Sequence, residues 1–302
     1  MNWGGVIPAI TTPFNADLSI DHGFLAEHCK WLVKNGCSGV VALGSLGEGA
    51  TLAAKEKNQV LETCVAAIGD RAPVVAGISA LSTTEAVSIA KSAAEIGCQG
   101  LMVLPPYVYV GDWPEMKAHV GAILSATDLS SMLYNNPLAY TTDFLPPHVC
   151  ELLAEFPNLH AIKESSADVR RVTALRALAG DRLQILVGVD DAIVEGTAAG
   201  AVGWIAGLAN ALPKESVDLF ELARDGESEK AFELYRWFLP LLRMDTVPKF
   251  VQLIKLVQEE VGMGNSRVRP PRLPLAGTEL QEAKAAIANS LQHHPGKQPS
   301  LV

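Results

Sequence analysis

The chain of 302 residues has no basic excess, no long apolar run, no paired-cysteine framework and no histidine pair at metal-binding spacing. Each absence excludes a class. Lys and Arg total 24 against 33 Asp and Glu, a formal net charge of −9. Without a basic stripe to neutralise phosphates, nucleic acid is excluded as a partner. No stretch approaches the roughly 18 consecutive apolar residues of a membrane span. The first residues also lack a charged segment leading into an apolar core. A cytoplasmic protein without a membrane partner is expected. The five cysteines (Cys29, Cys37, Cys64, Cys98 and Cys150) are scattered and odd in number, which points to reduced thiols. The seven histidines form neither His-x-x-x-His nor His-Glu-x-x-His, and His293-His294 falls in a polar stretch that reads as a frayed terminus. No metal site is expected.

What is present is a cored composition, 49% hydrophobic and 19% charged. Short β-branched apolar runs alternate with amphipathic stretches. Strands are expected at 5–10, 39–45, 73–79, 100–106, 131–137, 159–165, 183–189 and 203–208. Helical patterns lie at 21–35, 54–68, 83–96, 113–127, 146–155, 167–179, 191–199 and 214–224. Strands that are apolar throughout imply a parallel sheet covered on its outer face. Eight strand–helix units fit a closed (β/α)8 TIM barrel. An open doubly wound sheet often carries a glycine-rich phosphate loop after its first strand, whereas Ile10-Thr-Thr-Pro-Phe14 stands there. Three further helical patterns, 228–243, 247–262 and 278–290, follow. The expected organisation is a barrel over 1–226 and a C-terminal helical extension over 227–302 that does not fold alone, ending in a frayed tail.

Side chains at the C-terminal ends of barrel strands face the active site. Lys163, flanked by Ala161 and Ile162, ends the sixth strand, and a lysine in an apolar run is seldom buried unless it is paired or used. Desolvation favours the neutral amine, a nucleophile toward carbonyls. Tyr134 ends the fifth strand, where its phenol can shuttle the protons that carbinolamine formation and collapse require. The Gly44-Ser-Leu-Gly-Glu48 turn ends the second strand. Its glycines, Gly47 among them, allow close backbone approach, its amides can hold a carboxylate, and the Ser45 hydroxyl can relay a proton to Tyr134. Thr12, Tyr107, Gly188 and Ile205 occupy the ends of other strands. Asp190-Asp191 suits an N-cap, Glu48 a brace for its turn, and Glu164 faces the outer helices, where it needs a partner.

These residues resemble the dihydrodipicolinate synthase / N-acetylneuraminate lyase superfamily of Schiff-base barrel enzymes. The resemblance runs from about Gly4 to about Leu275. It is carried by Gly-Ser-Leu-Gly-Glu at 44–48 with Ala50-Thr-Leu52, Tyr-Asn-Asn-Pro at 134–137, Ile-Lys-Glu-Ser at 162–165, Gly188-Val-Asp-Asp191 and Arg269-Pro-Pro-Arg-Leu-Pro274. It implies a homotetramer built as a dimer of dimers. It also implies Lys163 as the imine-forming residue with pyruvate or another small 2-oxo acid, and Tyr134 as acid/base. The Ser45–Leu46 turn would hold the substrate carboxylate, and the Ile205 carbonyl would lie near the reacting centre. No cofactor is implied, because the iminium is itself the electron sink.

Departures from the family pattern bear on the exact reaction. 4-Hydroxy-tetrahydrodipicolinate synthases typically carry Thr-Thr where Ser45-Leu46 stand, an arginine where Ala139 stands, and a relay tyrosine, lent across the dimer interface, where Val108 stands between Tyr107 and Tyr109. Leu46, Ala139 and Tyr140 suggest a partly apolar distal pocket, ill suited to a polyhydroxylated sialate. The expected function is therefore a lyase. Retro-aldol cleavage, dehydration of a 2-keto-3-deoxy sugar acid and deamination of a hydroxyproline-derived pyrroline carboxylate all remain open. The synthase is the alternative, disfavoured by Ala139 and Val108. A non-catalytic binding or regulatory barrel would have lost the lysine, tyrosine or turn, and all three are present. A pyridoxal-phosphate enzyme would need a phosphate cup, for which Gly207-Leu-Ala-Asn210 is a poor candidate.

Overall fold

The computed structural model describes residues 1–106 and 109–295. Tyr107 and Val108, and with them the expectations placed on those two positions, lie outside the described residues, as does the tail from 296 onward. Eight strands form one parallel sheet: β1 (Gly5–Pro8), β2 (Val40–Ala42), β3 (Val74–Ile78), β4 (Gly100–Val103), β5 (Ser130–Asn135), β6 (Leu159–Glu164), β7 (Gln184–Val187) and β8 (Gly203–Ala206). β1 pairs with β8, and Ala9, just past the end of β1, bridges in parallel to Val41 of β2, so the ring closes and the open doubly wound sheet is ruled out. Every residue of β2, β3, β4, β5 and β8 is buried, as continuously apolar strands packed on both faces must be. The fold is a (β/α)8 TIM barrel with C-terminal helices.

The covering helices are α1 (His22–Lys34), α2 (Ala54–Ile68), α3 (Thr83–Ile96), α4 (Trp113–Leu124), α5 (Pro137–Tyr140), α6 (Pro146–Glu155), α7 (Arg170–Ala179), α8 (Ile193–Ala198) and α9 (Pro213–Arg224). α10 (Ser228–Leu242), α11 (Phe250–Glu260) and α12 (Gly277–Gln292) follow. Local chemistry sets their starts. Asp21 and Ser82 accept from the amides of Phe24 and Glu85, and Asp112 with Glu115 forms a capping box. The strands stop short of their expected C-terminal ends because those residues leave the ladder to build the mouth.

Three expectations are corrected. Asp190 does not cap α8. Its carboxylate accepts from Trp204 Nε1 at 2.9 Å, Gly207 N at 3.0 Å and Leu208 N at 2.7 Å, because the amides that leave the ladder after β8 need an acceptor and Asp190 faces them. His294 is not frayed: it lies edge-on to Trp237 at 4.4 Å and 3.3 Å from Glu215 Oε1. The helical pattern at 247–262 begins only at Phe250, because residues 247–249 form a turn closed by Phe250 N donating to Val247 O at 3.0 Å; the 3-10 turn at Arg243–Asp245 that precedes it carries Asp245 to the barrel mouth. Glu164 faces away from the mouth as expected, held by Asn135 Nδ2 at 3.1 Å and Ser166 N at 2.7 Å.

Candidate active site

Tyr134 on β5 stands level with Lys163 on β6, so the two side chains project side by side from the strand ends. The amine lies 4.2 Å from the centre of the Tyr134 ring. Among the described residues Lys163 Nζ makes no hydrogen bond and no ion pair. Burial favours its neutral form, opposed by the negative charge of Asp245 and neighbouring groups. Gly188 gives its stem room: a Cβ there would come within 2.6 Å of both Lys163 Cγ and Cε and would collide with the Ser165 hydroxyl.

The one-turn helix α5 brings a second phenol. Asn136 caps it, its Oδ1 accepting from Ala139 N at 3.0 Å, and Pro137 occupies the first helical position. The same Asn136 donates through Nδ2 to the Tyr134 hydroxyl at 3.0 Å. The turn places the Tyr140 ring edge-on to Tyr134, at 5.7 Å between centroids and 87°. The hydroxyl of Tyr140 is hydrogen-bonded to Ser45 Oγ and interacts with the Tyr134 phenol. Ser45 was expected to reach Tyr134 directly; it does so through Tyr140. Burial pushes Tyr134 up to about 12, which keeps it protonated across the neutral range.

The Gly44–Glu48 turn presents open donors. The backbone N–H groups of Ser45 and Leu46 donate to nothing among the described residues, and positive φ at Leu43 (65°) and Glu48 (54°) bends the chain around them. Thr12 does not reach the cavity wall. Its hydroxyl donates to Gly47 O at 2.6 Å and braces this turn from behind, while Gly47 packs against Ile10 O, where a Cβ would come within 2.9 Å.

A cavity of about 730 Å³ unites Lys163, Tyr134, Ser45, Leu46, Ala139, Gly188 and Ile205. Sequence reasoning missed the mouth residues that later segments contribute, namely Asp245, Val247, Phe250 and Arg272, and it read Tyr140 only as apolar wall. Burial and the nearby Asp190 push the Asp245 carboxyl well above its usual range, while Lys163 pulls it down. Asp190 itself is raised to about 6 by burial, against the hydrogen bonds that hold its charged form.

Comparison with known proteins agrees with this geometry. The model of the Dihydrodipicolinate synthetase family matches residues 2–290. A 4-hydroxy-tetrahydrodipicolinate synthase of Bartonella bacilliformis is 30% identical over 289 residues, 96% of this chain and 97% of that one. The Methanococcus maripaludis protein of the same name is 30% identical over 94% of this chain and 98% of its own length. Among solved structures, a dihydrodipicolinate synthase superposes with a TM-score of 0.89 at 29% identity, covering 96% of this chain and 99% of the other. YagE of E. coli K12, a prophage protein of the dihydrodipicolinic acid synthase family solved with pyruvate, gives 0.90 at 26%, covering 96% and 99%. With its eight-stranded barrel and a family match over nearly its whole length, the chain belongs to the dihydrodipicolinate synthetase family and is a lyase of the class I aldolase type.

Proposed function

We propose that Lys163 condenses with the carbonyl of pyruvate or another small 2-oxo acid and that the resulting iminium drives the chemistry. The observation that carries this is an unpaired, buried amine 4.2 Å from the ring of a protonated phenol at the barrel mouth. The open amides of Ser45 and Leu46 suit the substrate carboxylate. Tyr134 serves as acid/base: it gives a proton to the departing carbinolamine oxygen, and Tyr140 and Ser45 pass replacement protons inward from the mouth. No metal or organic cofactor is required for this sequence of steps, since the protonated imine accepts the electrons. Borohydride reduction with pyruvate, followed by mass spectrometry, tests it; an unmodified Lys163 sinks the proposal.

For the step after imine formation, the relatives' names support 4-hydroxy-tetrahydrodipicolinate synthesis better than cleavage, dehydration or deamination. Tyr140 supplies within the same chain a phenol in place of the relay tyrosine that synthases carry where Val108 stands, and Arg272 brings a guanidinium to the cavity although Ala139 does not. Ala139 and Leu46, which keep that wall apolar, are what favours a smaller 2-oxo acid lyase. Pyruvate consumption with a carboxylate-bearing aldehyde, compared with pyruvate or ammonia release from a panel of 2-oxo acids, separates the two.

We propose further that the barrel (1–226) and the helical extension (227–302) act as one unit and that the assembly is a cytoplasmic homotetramer. The largely exposed Leu81 and Tyr109 line one groove with Pro106, an apolar surface suited to a subunit contact. Sedimentation analysis tests the assembly.

A further inference from the structure

Among the described residues, three carboxylates line the cavity: Glu48 is bonded to Lys255 and Asp191 to Arg243, and Asp245 is the third. It comes not from a barrel strand but from the 3-10 turn that follows α10. Two missing side chains seat it. A Cβ on Gly207 would collide with its carboxyl, as a Cβ on Gly188 would collide with the Lys163 stem. Gly188 follows β7 and Gly207 follows β8, and the two strands are paired at Val187 and Trp204. The carboxyl therefore lies one strand further round the barrel than Gly188 and two residues nearer the mouth, on the side where its charge acts on the amine. Tyr134, on β5, lies on the other side of Lys163. Among the described residues no hydrogen bond and no ion pair engages the Asp245 carboxyl. Its neighbour Asp190 is saturated by Trp204, Gly207 and Leu208, and Asp191 is engaged by Arg243 at 3.4 Å. Asp245 alone of the three is uncommitted.

Given the Schiff-base reading above, we propose that Asp245 is a second acid/base in this site, one that serves the heteroatom on the fourth carbon of the substrate while Tyr134 serves the imine. The step balances in either direction. In condensation, the enamine carbon attacks an aldehyde carbonyl, a C–C bond forms, the C=O π bond breaks, and the oxygen takes the Asp245 proton as the iminium re-forms. In elimination, the enamine nitrogen pushes its electron pair back to the iminium. The enamine π pair becomes a double bond between the third and fourth carbons, the bond from the fourth carbon to hydroxyl or amine breaks, and the leaving group takes that pair together with the Asp245 proton. In retro-aldol cleavage the carboxylate instead accepts the hydroxyl proton. Burial and Asp190 shift Asp245 toward its proton-donating form, and Lys163 opposes them.

Pyruvate has no fourth carbon, and that makes the idea separable from the Schiff-base proposal. Asp245→Asn should still trap pyruvate on Lys163 with borohydride and still exchange the pyruvate methyl protons for deuterium by NMR. Its kcat for cleaving 4-hydroxy-2-oxoglutarate should fall by about 10²–10⁴-fold. Asp245→Ala should behave likewise and regain part of that activity with added formate. An Asn variant that keeps the parental kcat and pH profile overturns the proposal. So does one that loses pyruvate trapping and cleavage together, because Asp245 would then act on the amine. Failure of the parent protein to trap pyruvate would instead overturn the Schiff-base reading.

Discussion

Lys255 Nζ lies 2.5 Å from Glu48 Oε1 although 207 residues separate them, and neither side chain is more than 2% exposed. Glu48 Oε2 accepts from Arg269 N at 3.0 Å, and Lys255 also donates to Arg267 O at 2.7 Å and sits 4.4 Å from the Phe14 ring centre. Burial pushes the lysine down to about 8, with Glu48 opposing. The pair ties α11 to the turn that presents the Ser45 and Leu46 amides, so the extension holds the substrate end of the site in shape.

Removing one member leaves the other buried and uncompensated. Glu48→Gln and Lys255→Met should each destabilise the fold by about 3–5 kcal/mol, and the double variant should be less damaged than the sum of the two. Urea unfolding at fixed protein concentration measures this cycle. Additive losses would mean that the two charges do not depend on each other.

The phenol chain makes a graded prediction. Tyr134→Phe should lower kcat by about 10²–10⁴-fold, because it removes the acid beside the imine. Tyr140→Phe should cost less, since Tyr134 remains and only the link to Ser45 is cut. Single-turnover imine formation with pyruvate reads both. Equal losses would place the two phenols in one step, and an undiminished Tyr134→Phe would remove Tyr134 from the chemistry.

The residues legible in the sequence were those that strand periodicity places. Lys163 and Tyr134 end apolar runs, and the strand-end rule of a barrel turns that position into a location. Thr12 met the same rule, yet it is spent on Gly47 O, because a strand-end hydroxyl can turn toward the next loop as readily as toward the mouth. Tyr140 was partly legible, since Asn136-Pro137 is a cap followed by a first helical residue and a one-turn helix there fixes where the ring goes. Asp245 was not legible. It sits in a break between helical patterns, and only the packing of the C-terminal helices on the barrel carries that break to Gly207.

Gly188→Ala tests the space under the lysine. The added methyl would come within 2.6 Å of Lys163 Cγ and Cε, at a site bounded by the fully buried Ser165 and by β7. Pyruvate trapping should slow by at least about tenfold, because a misplaced nucleophile loses its near-attack geometry. The barrel should remain folded by circular dichroism. A variant that traps pyruvate at the parental rate would show that the stem can take another path.

Imine formation should quicken as pH rises. The reactive species is the free amine, and burial lowers the Lys163 pKa from its ordinary 10.5, so the neutral fraction grows and then levels off below that pH. Tyr134, raised to about 12, stays protonated throughout and should add no falling limb in this range. Initial rates of borohydride-trapped imine across pH 6–10 give the profile, and a flat profile would contradict a lysine that must first lose its proton.

His28 should make the fold sensitive to acid. It is fully buried between the rings of Phe24 and Trp31, centroids 5.7 and 5.9 Å away, with Nε2 at 2.9 Å from Asn210 O. Its Nδ1 is buried with no partner among the described residues, so a proton added there would be unsatisfied. Burial lowers its pKa from 6.5 to about 4. Between those values the unfolded chain binds a proton that the folded chain refuses, so stability falls as pH falls through this window and the loss is complete below about 4. A gap of that size corresponds to about 3 kcal/mol. His28→Gln removes this titration. Its urea stability should therefore decline less steeply from pH 6.5 to 4 than that of the parent, and parallel declines would show that His28 is already protonated in the fold.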